Sequence, residues 1–225
     1  MGPGPVNAHP RVLRAMSADL LGQFDPEMTG YMNQVMALYR PVFGTENRWT
    51  FLVDGTARAA IEAALVSLVA PRHRVLVVNF GRFGLLLTEI LDRIGAVVET
   101  VDAQWGEVVP LDAIRAAAER FGPRVIATVH GDTSTTMAQP LSGLGALAQE
   151  FGAFSYVDAT ATIGGMAVEA DAWGIDIVTG GLQKCLGGPS GSAPITISDR
   201  AAEKIFERRH TERGIARDDL VQGAE

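Results

Sequence analysis

Short apolar runs alternate with amphipathic segments along most of the chain, from Trp49 onward. The runs predict buried β-strands, and apolar residues three and four positions apart predict helices between them. Repeated βα units of this kind give a mostly parallel, doubly wound α/β sheet with helices on both faces. We therefore expect one α/β domain. Its predicted strands are 49–53, 74–79, 97–101, 124–130, 154–158, 175–179 and 193–197; its predicted helices are 56–69, about 200–210, and three whose apolar stripes span 87–94, 111–121 and 144–151.

The N-terminal region shows a different pattern, an arm followed by two helices. Residues 1–9, MGPGPVNAH, contain too much Gly and Pro for regular structure and predict an extended arm. A helix is expected over 10–22, because its apolar residues share one face and a glycine ends it. Asp25-Pro26 predicts a turn before a second helix over 30–43, which ends or kinks at Pro41.

The composition is that of a globular protein, with 47% hydrophobic and 20% charged residues among 225. The net charge of −7 and the pI near 5.1 argue against a nucleic-acid partner. With one cysteine, Cys185, no internal disulfide forms, which favours a reducing, cytoplasmic location. No apolar run has the length of a membrane span, and the N-terminus lacks a basic segment followed by an apolar one. We expect no membrane partner.

A glycine-rich stretch around Lys184 is the main candidate for chemistry. In WGIDIVTGGLQKCLGGPSGS, residues 173–192, the lysine follows an apolar strand and is flanked by glycine clusters. Strand ends of open α/β sheets usually carry ligand sites. A partly desolvated lysine is nucleophilic as the neutral amine and forms Schiff bases with aldehydes, and the aldehyde we expect is pyridoxal phosphate. The alternative is a loop lysine that extends to water.

Residues that directly follow the other strands should converge on the same edge of the sheet. After the first strand, Thr56, Ala57 and Arg58 open a helix and form a candidate phosphate site at its N-terminus. The alternative for Thr56 is an ordinary helix N-cap. After the second strand, Phe83 lies close to two glycines, either to stack on a flat ring or to pack in the core.

Two further strand ends carry polar side chains. The run 132–136 is either a solvated turn or a row of donors that faces a ligand, and its position at a strand end favours the second interpretation. Asp158 ends an apolar strand, where an unpaired carboxylate is costly, so it should have a partner. A pyridine N–H is a suitable partner, and the pair keeps the ring protonated. Alternatively, Asp158 caps a helix or joins a loop ion pair. Together with Lys184 it forms half of a pyridoxal phosphate site.

Other chemistries lack their usual patterns. The sequence has no GxxxxGK[ST] loop and no GxGxxG after a strand, so nucleotide binding is not indicated. The four histidines are scattered without an HExxH pair, which argues against a metal site. Only His130 lies near a strand end, where it is a candidate to line the pocket. Cys185 is interpreted as a small packed residue rather than a nucleophile.

Five segments, in the same order along the chain, resemble one known family. They are GPGPVN at 2–7, DGTARAAIEAAL at 54–65, HGDTSTTMAQPL at 130–141, VDATATIGG at 157–165 and GGLQKCLGGPSG at 180–191. On these motifs the chain resembles the class V aminotransferases of fold type I, within them the alanine–glyoxylate and serine–glyoxylate group, and most closely the (S)-ureidoglycine–glyoxylate aminotransferases of purine catabolism. The resemblance implies a homodimeric enzyme that uses pyridoxal phosphate to transfer an amino group to glyoxylate from (S)-ureidoglycine or a small amino acid.

The resemblance also implies a role for each matching residue. Lys184 would bond to the cofactor aldehyde and move the proton at the substrate carbon, and Asp158 would pair with the pyridine nitrogen. Phe83 would stack on the ring, where many relatives have Trp or Tyr, and Thr133 and Thr160 would make polar contacts near it. The GPGP arm would lie over the substrate pocket. The phosphate would be held by Thr56, Ala57, Arg58 and Gln183.

The family pattern includes a smaller C-terminal domain with an arginine that grips the substrate carboxylate, and no residue of this sequence is assigned that role. We expect an N-terminal arm and helices over 1–45, a large domain that binds pyridoxal phosphate over 46–210 and a polar tail over 211–225. Without that smaller domain, the apolar side chains of 13–43 would be uncovered and would favour self-association. Two alternatives to the aminotransferase stay open, a class V lyase or desulfurase, which the position of Cys185 disfavours, and a folded remnant without activity.

Overall fold

The computed structural model of the chain describes residues 3–208, in which strands and helices alternate from Trp49 onward. The strands are β1 (Trp49–Gly55), β2 (Arg74–Asn79), β3 (Val97–Asp102), β4 (Val125–Val129), β5 (Gly131–Asp132), β6 (Met137–Ala138), β7 (Phe154–Asp158), β8 (Ile177–Thr179) and β9 (Gly191–Ile197). The helices are α1 (Pro10–Ala15), α2 (Pro26–Phe43), α3 (Ala57–Leu68), α4 (Arg82–Ile94), α5 (Leu111–Phe121), α6 (Leu144–Glu150), α7 (Ala170–Trp173) and α8 (Asp199–Arg208).

Seven of the strands form one mixed sheet in the order β1-β9-β8-β7-β4-β2-β3. Strands β3, β2, β4, β7 and β8 are mutually parallel, which confirms the predicted class, whereas β9 is antiparallel to both of its neighbours. Because β1 is antiparallel to β9, it points in the same direction as the parallel strands. The carboxyl ends of β1 and of the five parallel strands therefore lie along one edge of the sheet.

Two hydrophobic cores, one on each face of the sheet, hold the helices in place. Alternate residues of β2 point to opposite faces: Leu76 and Val78 pack with α5 and α6, and Val75 and Val77 pack with α3 and α4. Every residue of β2 after Arg74 is buried. This confirms the prediction of helices on both faces, and it explains why the strands appear in the sequence as continuous apolar runs.

The N-terminal helices differ from the prediction at three points. Helix α1 ends at Ala15 rather than near residue 22, and none of its residues is buried. Helix α2 begins at Pro26, because the Asp25 side chain accepts a hydrogen bond from the Glu27 amide (2.8 Å) and makes the predicted turn an N-cap. It continues through Pro41 to Phe43 and ends where Gly44 adopts a left-handed conformation (φ 58°).

The remaining differences are small. All seven strands of the prediction are present, with ends that shift by one or two residues. The prediction missed the β5–β6 hairpin and the four-residue helix α7, which are too short to show a period. Helix α8 is described to Arg208, and residues 209–225, including the predicted polar tail, lie outside the described part of the chain. Among residues 3–208, no helix has both the length and the apolar character to cross a bilayer.

Candidate functional site

A cavity of about 320 Å³ lies at the sheet edge where the strands end. It is built by the loops that follow β1, β2, β4, β7 and β8, together with the first turns of α3 and α4. Its wall consists of Thr56, Ala57, Arg58, Ile61, Phe83, Leu86, Gly131, Thr133, Asp158, Thr160, Ala161, Gln183, Lys184 and Ser190. All nine residues to which the family resemblance assigns a role in binding the cofactor are among them, brought together from positions up to 128 apart in the chain, Thr56 to Lys184. Their individual roles stay predictions.

Five lining residues were not nominated for the site. Ile61 and Leu86 come from the apolar faces of α3 and α4, and the helical stripe of α3 did include Ile61 as a core residue. Ala161 directly follows the nominated Thr160, and Gly131 lies two residues before the nominated Thr133. Ser190 belongs to the glycine-rich loop after Lys184, and no pattern separates it from the other small residues there.

The amine of Lys184 lies beneath the N-terminal arm. Its Nζ donates a hydrogen bond to the Pro3 carbonyl (2.8 Å), and the Val6 amide donates to the Gln183 carbonyl (2.9 Å). Gly4 has a φ of 99°, and a Cβ there would lie 3.0 Å from Lys184 Cδ and 3.5 Å from Nζ. The arm therefore crosses the lysine so closely that a residue without a side chain, in a backbone conformation that favours glycine, is required.

Asp158 supplies a buried carboxylate at the end of β7. Its Oδ1 accepts hydrogen bonds from the Thr160 amide (2.9 Å) and the Thr160 hydroxyl (2.5 Å), which fix its orientation. Burial raises the pKa of the Asp158 carboxyl, and the bonds from Thr160 oppose that rise in part. Among the described residues, no ion pair includes Asp158. A cationic N–H donor in the cavity would stabilise its charged form.

The N-terminus of α3 forms the anion-binding end of the cavity. Thr56 is the N-cap residue of this helix, yet its side chain makes no capping hydrogen bond, contrary to the alternative of an ordinary N-cap. The first amides of a helix have no partner within the helix, so those that begin α3 can bind an anion. Gln183 Oε1 is buried and has no hydrogen-bond partner. A Cβ on Gly181 would lie 2.8 to 2.9 Å from Gln183, Thr160 and Ala57. Because glycine has no Cβ, these three residues can pack closely around it.

The polar run after β4 does not face the cavity as a row, so that interpretation is wrong for most of its members. Only Thr133 lines the cavity. The run is the tight turn of the β5–β6 hairpin: Asp132 and Met137 pair, and Thr136 takes a left-handed conformation (φ 60°) and is exposed. The side chain of Ser134 donates to Asp132 Oδ1 (2.6 Å) instead of turning to the cavity.

His130 and Cys185 do not line the cavity. The Nδ1 of His130 is 2.9 Å from the Thr162 hydroxyl, and its ring meets Trp173 edge-on, so it is a packed residue rather than the proposed lining residue. Burial lowers the pKa of His130. The thiol of Cys185 donates to the Ala161 carbonyl (3.4 Å), and the residue is exposed, so the interpretation as a packed residue is wrong. In the described part of the chain, no three His, Cys, Asp or Glu residues are grouped closely enough to hold a metal ion.

A larger cavity of about 610 Å³ lies beside edge strand β1, between α2 and α8, and is called the apolar groove below. Its lining is almost entirely apolar and contains none of the nominated residues, so we do not consider it a site for chemistry. The apolar groove is lined by Met28, Tyr31, Met32, Val35, Met36, Trp49, Phe51, Leu52, Ser67, Ile197, Ala202, Ile205 and Phe206.

The fold is an α/β sheet with a lysine and a buried aspartate near the ends of neighbouring strands. Comparison with known proteins identifies the class of protein that has this fold and site. The family profile of the class-V aminotransferases matches residues 14–216. The chain belongs to the class-V aminotransferase family, as the sequence motifs predicted.

Individual members of this family show how similar the chain is to proteins of known activity. The (S)-ureidoglycine–glyoxylate transaminase of Bacillus subtilis is 49% identical over 216 residues, which cover 96% of this chain and 52% of the relative. The crystal structure of the ureidoglycine–glyoxylate aminotransferase from Bacillus subtilis superposes with a TM-score of 0.91 at 48% identity, covering 92% of this chain and 54% of that one. An alanine–glyoxylate aminotransferase structure from Nostoc sp. gives the same TM-score at 43% identity, covering 93% and 55%. The chain spans about half the length of these relatives.

Proposed function

We propose that this chain is the cofactor-binding large domain of a pyridoxal-phosphate-dependent aminotransferase that uses glyoxylate as amino acceptor. One observation carries the proposal: the amine of Lys184 and the buried carboxylate of Asp158 line the same cavity, after the adjacent parallel strands β8 and β7. Membership of the class-V family and the names of the relatives support the type of reaction.

The residues on the cavity wall fit pyridoxal phosphate at three points. The α3 N-terminus, with the Thr56 hydroxyl and the Arg58 side chain, suits the phosphate, and the Gln183 amide next to it, whose Oε1 has no partner, would donate to the phosphate through Nε2. Asp158, at the other part of the wall, suits a protonated ring nitrogen. Phe83 and Leu86 supply an apolar surface for a flat ring.

Pyridoxal phosphate, when bound, supplies an aldehyde and a ring that withdraws electrons from the substrate carbon. Lys184 Nζ would be the amine that bonds to this aldehyde, with loss of water, and a free Nζ would move the proton at the substrate carbon. Asp158 would hold the proton on the ring nitrogen, because a carboxylate buried beside it favours the cationic form. Thr133 would offer its hydroxyl group to the ring, Thr160, whose hydroxyl donates to Asp158, would make a polar contact near it, and Phe83 would exclude water from one side of it.

The arm above Lys184 belongs to this arrangement. The hydrogen bond from Nζ to the Pro3 carbonyl holds the amine at the cavity wall. To react, Nζ must release that carbonyl, and the Val6–Gln183 backbone bond keeps the arm nearby while it does so. The backbone of the arm then faces the space in front of the lysine where a substrate would enter.

The amino donor we infer is (S)-ureidoglycine, which the name of the 49% identical relative specifies, with a small amino acid as the other possibility. This donor would place the reaction in purine catabolism. We also propose a homodimer as the assembly, in keeping with the family resemblance. For the location we propose the cytoplasm, which suits a chain with a single cysteine.

A reductive labelling experiment tests the proposal, because the sequence has only two lysines, Lys184 and Lys204. The purified chain is mixed with pyridoxal phosphate, reduced with borohydride and mapped by mass spectrometry. We expect a visible absorption band before reduction and a label on Lys184. Lys204, on α8 and paired with Glu207, is the internal control and should stay unlabelled. Lys184→Arg should abolish both signals.

A chain that shows no absorption band, or equal labelling of Lys184 and Lys204, would contradict the proposal and favour a folded remnant without cofactor. The same preparation identifies the donor: the visible band should bleach most with (S)-ureidoglycine among the amino compounds tried, and glyoxylate should restore it.

A further inference from the structure

Asp132 is a buried carboxylate that connects two walls of the cavity without lining it. The residue is 1% exposed. Its Oδ2 accepts a hydrogen bond from the Phe83 amide (2.7 Å), and its Oδ1 accepts from the amide (2.9 Å) and hydroxyl (2.6 Å) of Ser134. The Ser134 oxygen in turn accepts from the Arg82 amide (3.0 Å). Each carboxylate oxygen thus binds a different segment of chain.

The start of α4 depends on these contacts. Its N-cap residue, Gly81, has no side chain to cap the helix, so the amides of Arg82 and Phe83 obtain acceptors from the β5–β6 hairpin instead. A Cβ on Gly81 would lie 2.5 Å from Asp132 Cγ. The Asp132 carboxylate therefore occupies the space that a side chain at residue 81 would need. A negative charge at this position also interacts favourably with the positive end of the helix.

The two segments that Asp132 joins are both parts of the cavity wall. Phe83 lines it from α4, and Thr133, the next residue after Asp132, lines it from the hairpin turn. We propose that Asp132 is a positioning residue of the cofactor cavity, which sets the position of the Phe83 ring relative to Thr133 through its bonds to Phe83 and Ser134. This proposal rests on the proposed function for the identity of the ligand, and on the observed hydrogen bonds for the positioning itself.

The Asp132→Asn variant tests whether the hydrogen bonds of Asp132 position the cavity wall or whether the residue only fills a buried space. Asp132→Asn keeps the size of the side chain but replaces one acceptor oxygen by a donor, so either the Phe83 or the Ser134 amide loses its partner. We expect the Kd for pyridoxal phosphate, from titration of the visible band, to rise by about tenfold or more, and the induced circular dichroism of the bound cofactor to fall. Gly81→Ala, which displaces the intact carboxylate from the other side, should have the same effects.

Asp176→Asn is the matched control, since Asp176 is an equally buried aspartate that accepts bonds from Ser155 and Arg200 outside the cavity. It should lower the melting temperature without changing the cofactor Kd of the folded protein by more than about twofold. If Asp132→Asn and Gly81→Ala behave like this control, Asp132 is only a structural cap and the proposal is wrong.

Amide hydrogen exchange gives a readout that needs no cofactor. In Asp132→Asn, exchange should accelerate by about fivefold or more in peptides covering 82–86 and 131–136, with little change elsewhere. Unchanged exchange in these peptides would overturn the positioning claim. A wild-type chain that binds no pyridoxal phosphate would contradict the proposed function, and the exchange result would still test whether Asp132 holds these two segments together.

Discussion

The Asp158 carboxyl is buried and accepts two hydrogen bonds from Thr160, and burial raises its pKa above the usual value. The folded state therefore holds this proton more tightly than the unfolded state does. As the pH rises from the usual pKa of an aspartate through the raised one, the unfolded state loses its proton first, and the free energy of unfolding decreases. At neutral pH the protein without cofactor is therefore less stable than it would be without this buried carboxyl.

Replacement of Asp158 by asparagine should remove that cost. Asp158→Asn keeps an oxygen for both Thr160 bonds and has no charge to bury. We expect its melting temperature without cofactor at pH 7 to exceed the wild-type value, because the variant has no carboxyl to ionise in a buried position. The difference should shrink toward zero near pH 4. The variant should bind pyridoxal phosphate more weakly by about tenfold or more.

Scanning calorimetry over a pH series, with and without cofactor, measures both effects. Asp176→Asn provides the contrast, because Asp176 is paired with Arg200 and its loss should lower the melting temperature at neutral pH. A lower melting temperature for Asp158→Asn without cofactor would show that the charged carboxylate stabilises the fold and would contradict the argument.

The residues proposed to carry chemistry could be located from the sequence, and their supporting contacts could not. Asp158 is the last residue of an apolar strand and Lys184 lies in the loop after the next one, so the topology rule for strand ends located them. Asp132 has the same position, but its bond to Phe83 joins residues 49 apart and depends on how α4 packs beside the hairpin. The prediction of a row of donors failed for a similar reason, since a four-residue turn points successive side chains in different directions.

At the scale of elements, the arm over Lys184 is expected to slow the reaction of the amine with the cofactor. The bond from Nζ to the Pro3 carbonyl must break first, and a hydrogen bond of this kind contributes about 0.5–1.5 kcal/mol. Deletion of residues 1–6 should therefore raise the rate at which the visible band appears by about twofold to tenfold.

Stopped-flow absorbance measures this rate. Leu20→Ser is the control, because Leu20 is fully exposed and remote from the lysine in the described contacts, and it should leave the rate unchanged. A deletion variant that reacts more slowly would show that the arm helps to orient the amine rather than to restrain it.

The two N-terminal helices show why a periodic pattern is not sufficient for a helix. The apolar residues of 10–22 share a face, yet Leu13, Met16 and Leu20 are exposed and pack against nothing that would stabilise further turns. Most helical stability in proteins comes from packing of such a face, so α1 stops after six residues. Both helices are capped by a side chain at their start, and helix α2 extends further because its end packs through Phe43 into the core.

At the scale of the whole molecule, the class of fold was predictable because strands buried on both faces are continuously apolar. The strand order was not, since no local pattern indicates that β9 inserts antiparallel between β8 and β1. The uncovered apolar surface was also predicted in kind. The apolar groove between α2 and α8 realises it, and Tyr31 and Met32 at its wall are about half exposed.

The apolar groove should bind an apolar fluorescent dye. We expect strong dye fluorescence from the folded 225-residue chain, because exposed apolar patches of this kind bind such dyes. Met32→Glu should reduce the signal by about half or more, while Leu20→Glu, which adds the same charge at an exposed leucine outside the groove, should not. Equal signals from the two variants would show that the dye binds elsewhere.

The pairing of β1 with β9 has a consequence for synthesis on the ribosome. The first strand of the sheet, Trp49–Gly55, finds its hydrogen-bond partner only when residues 191–197 have emerged, about 140 residues later. Until then β1 has no partner strand, and β8 presents an open edge to other nascent chains. Folding should therefore be completed late, after nearly the whole domain has left the exit tunnel, and chaperones that shield unpaired strands should bind the chain during that interval.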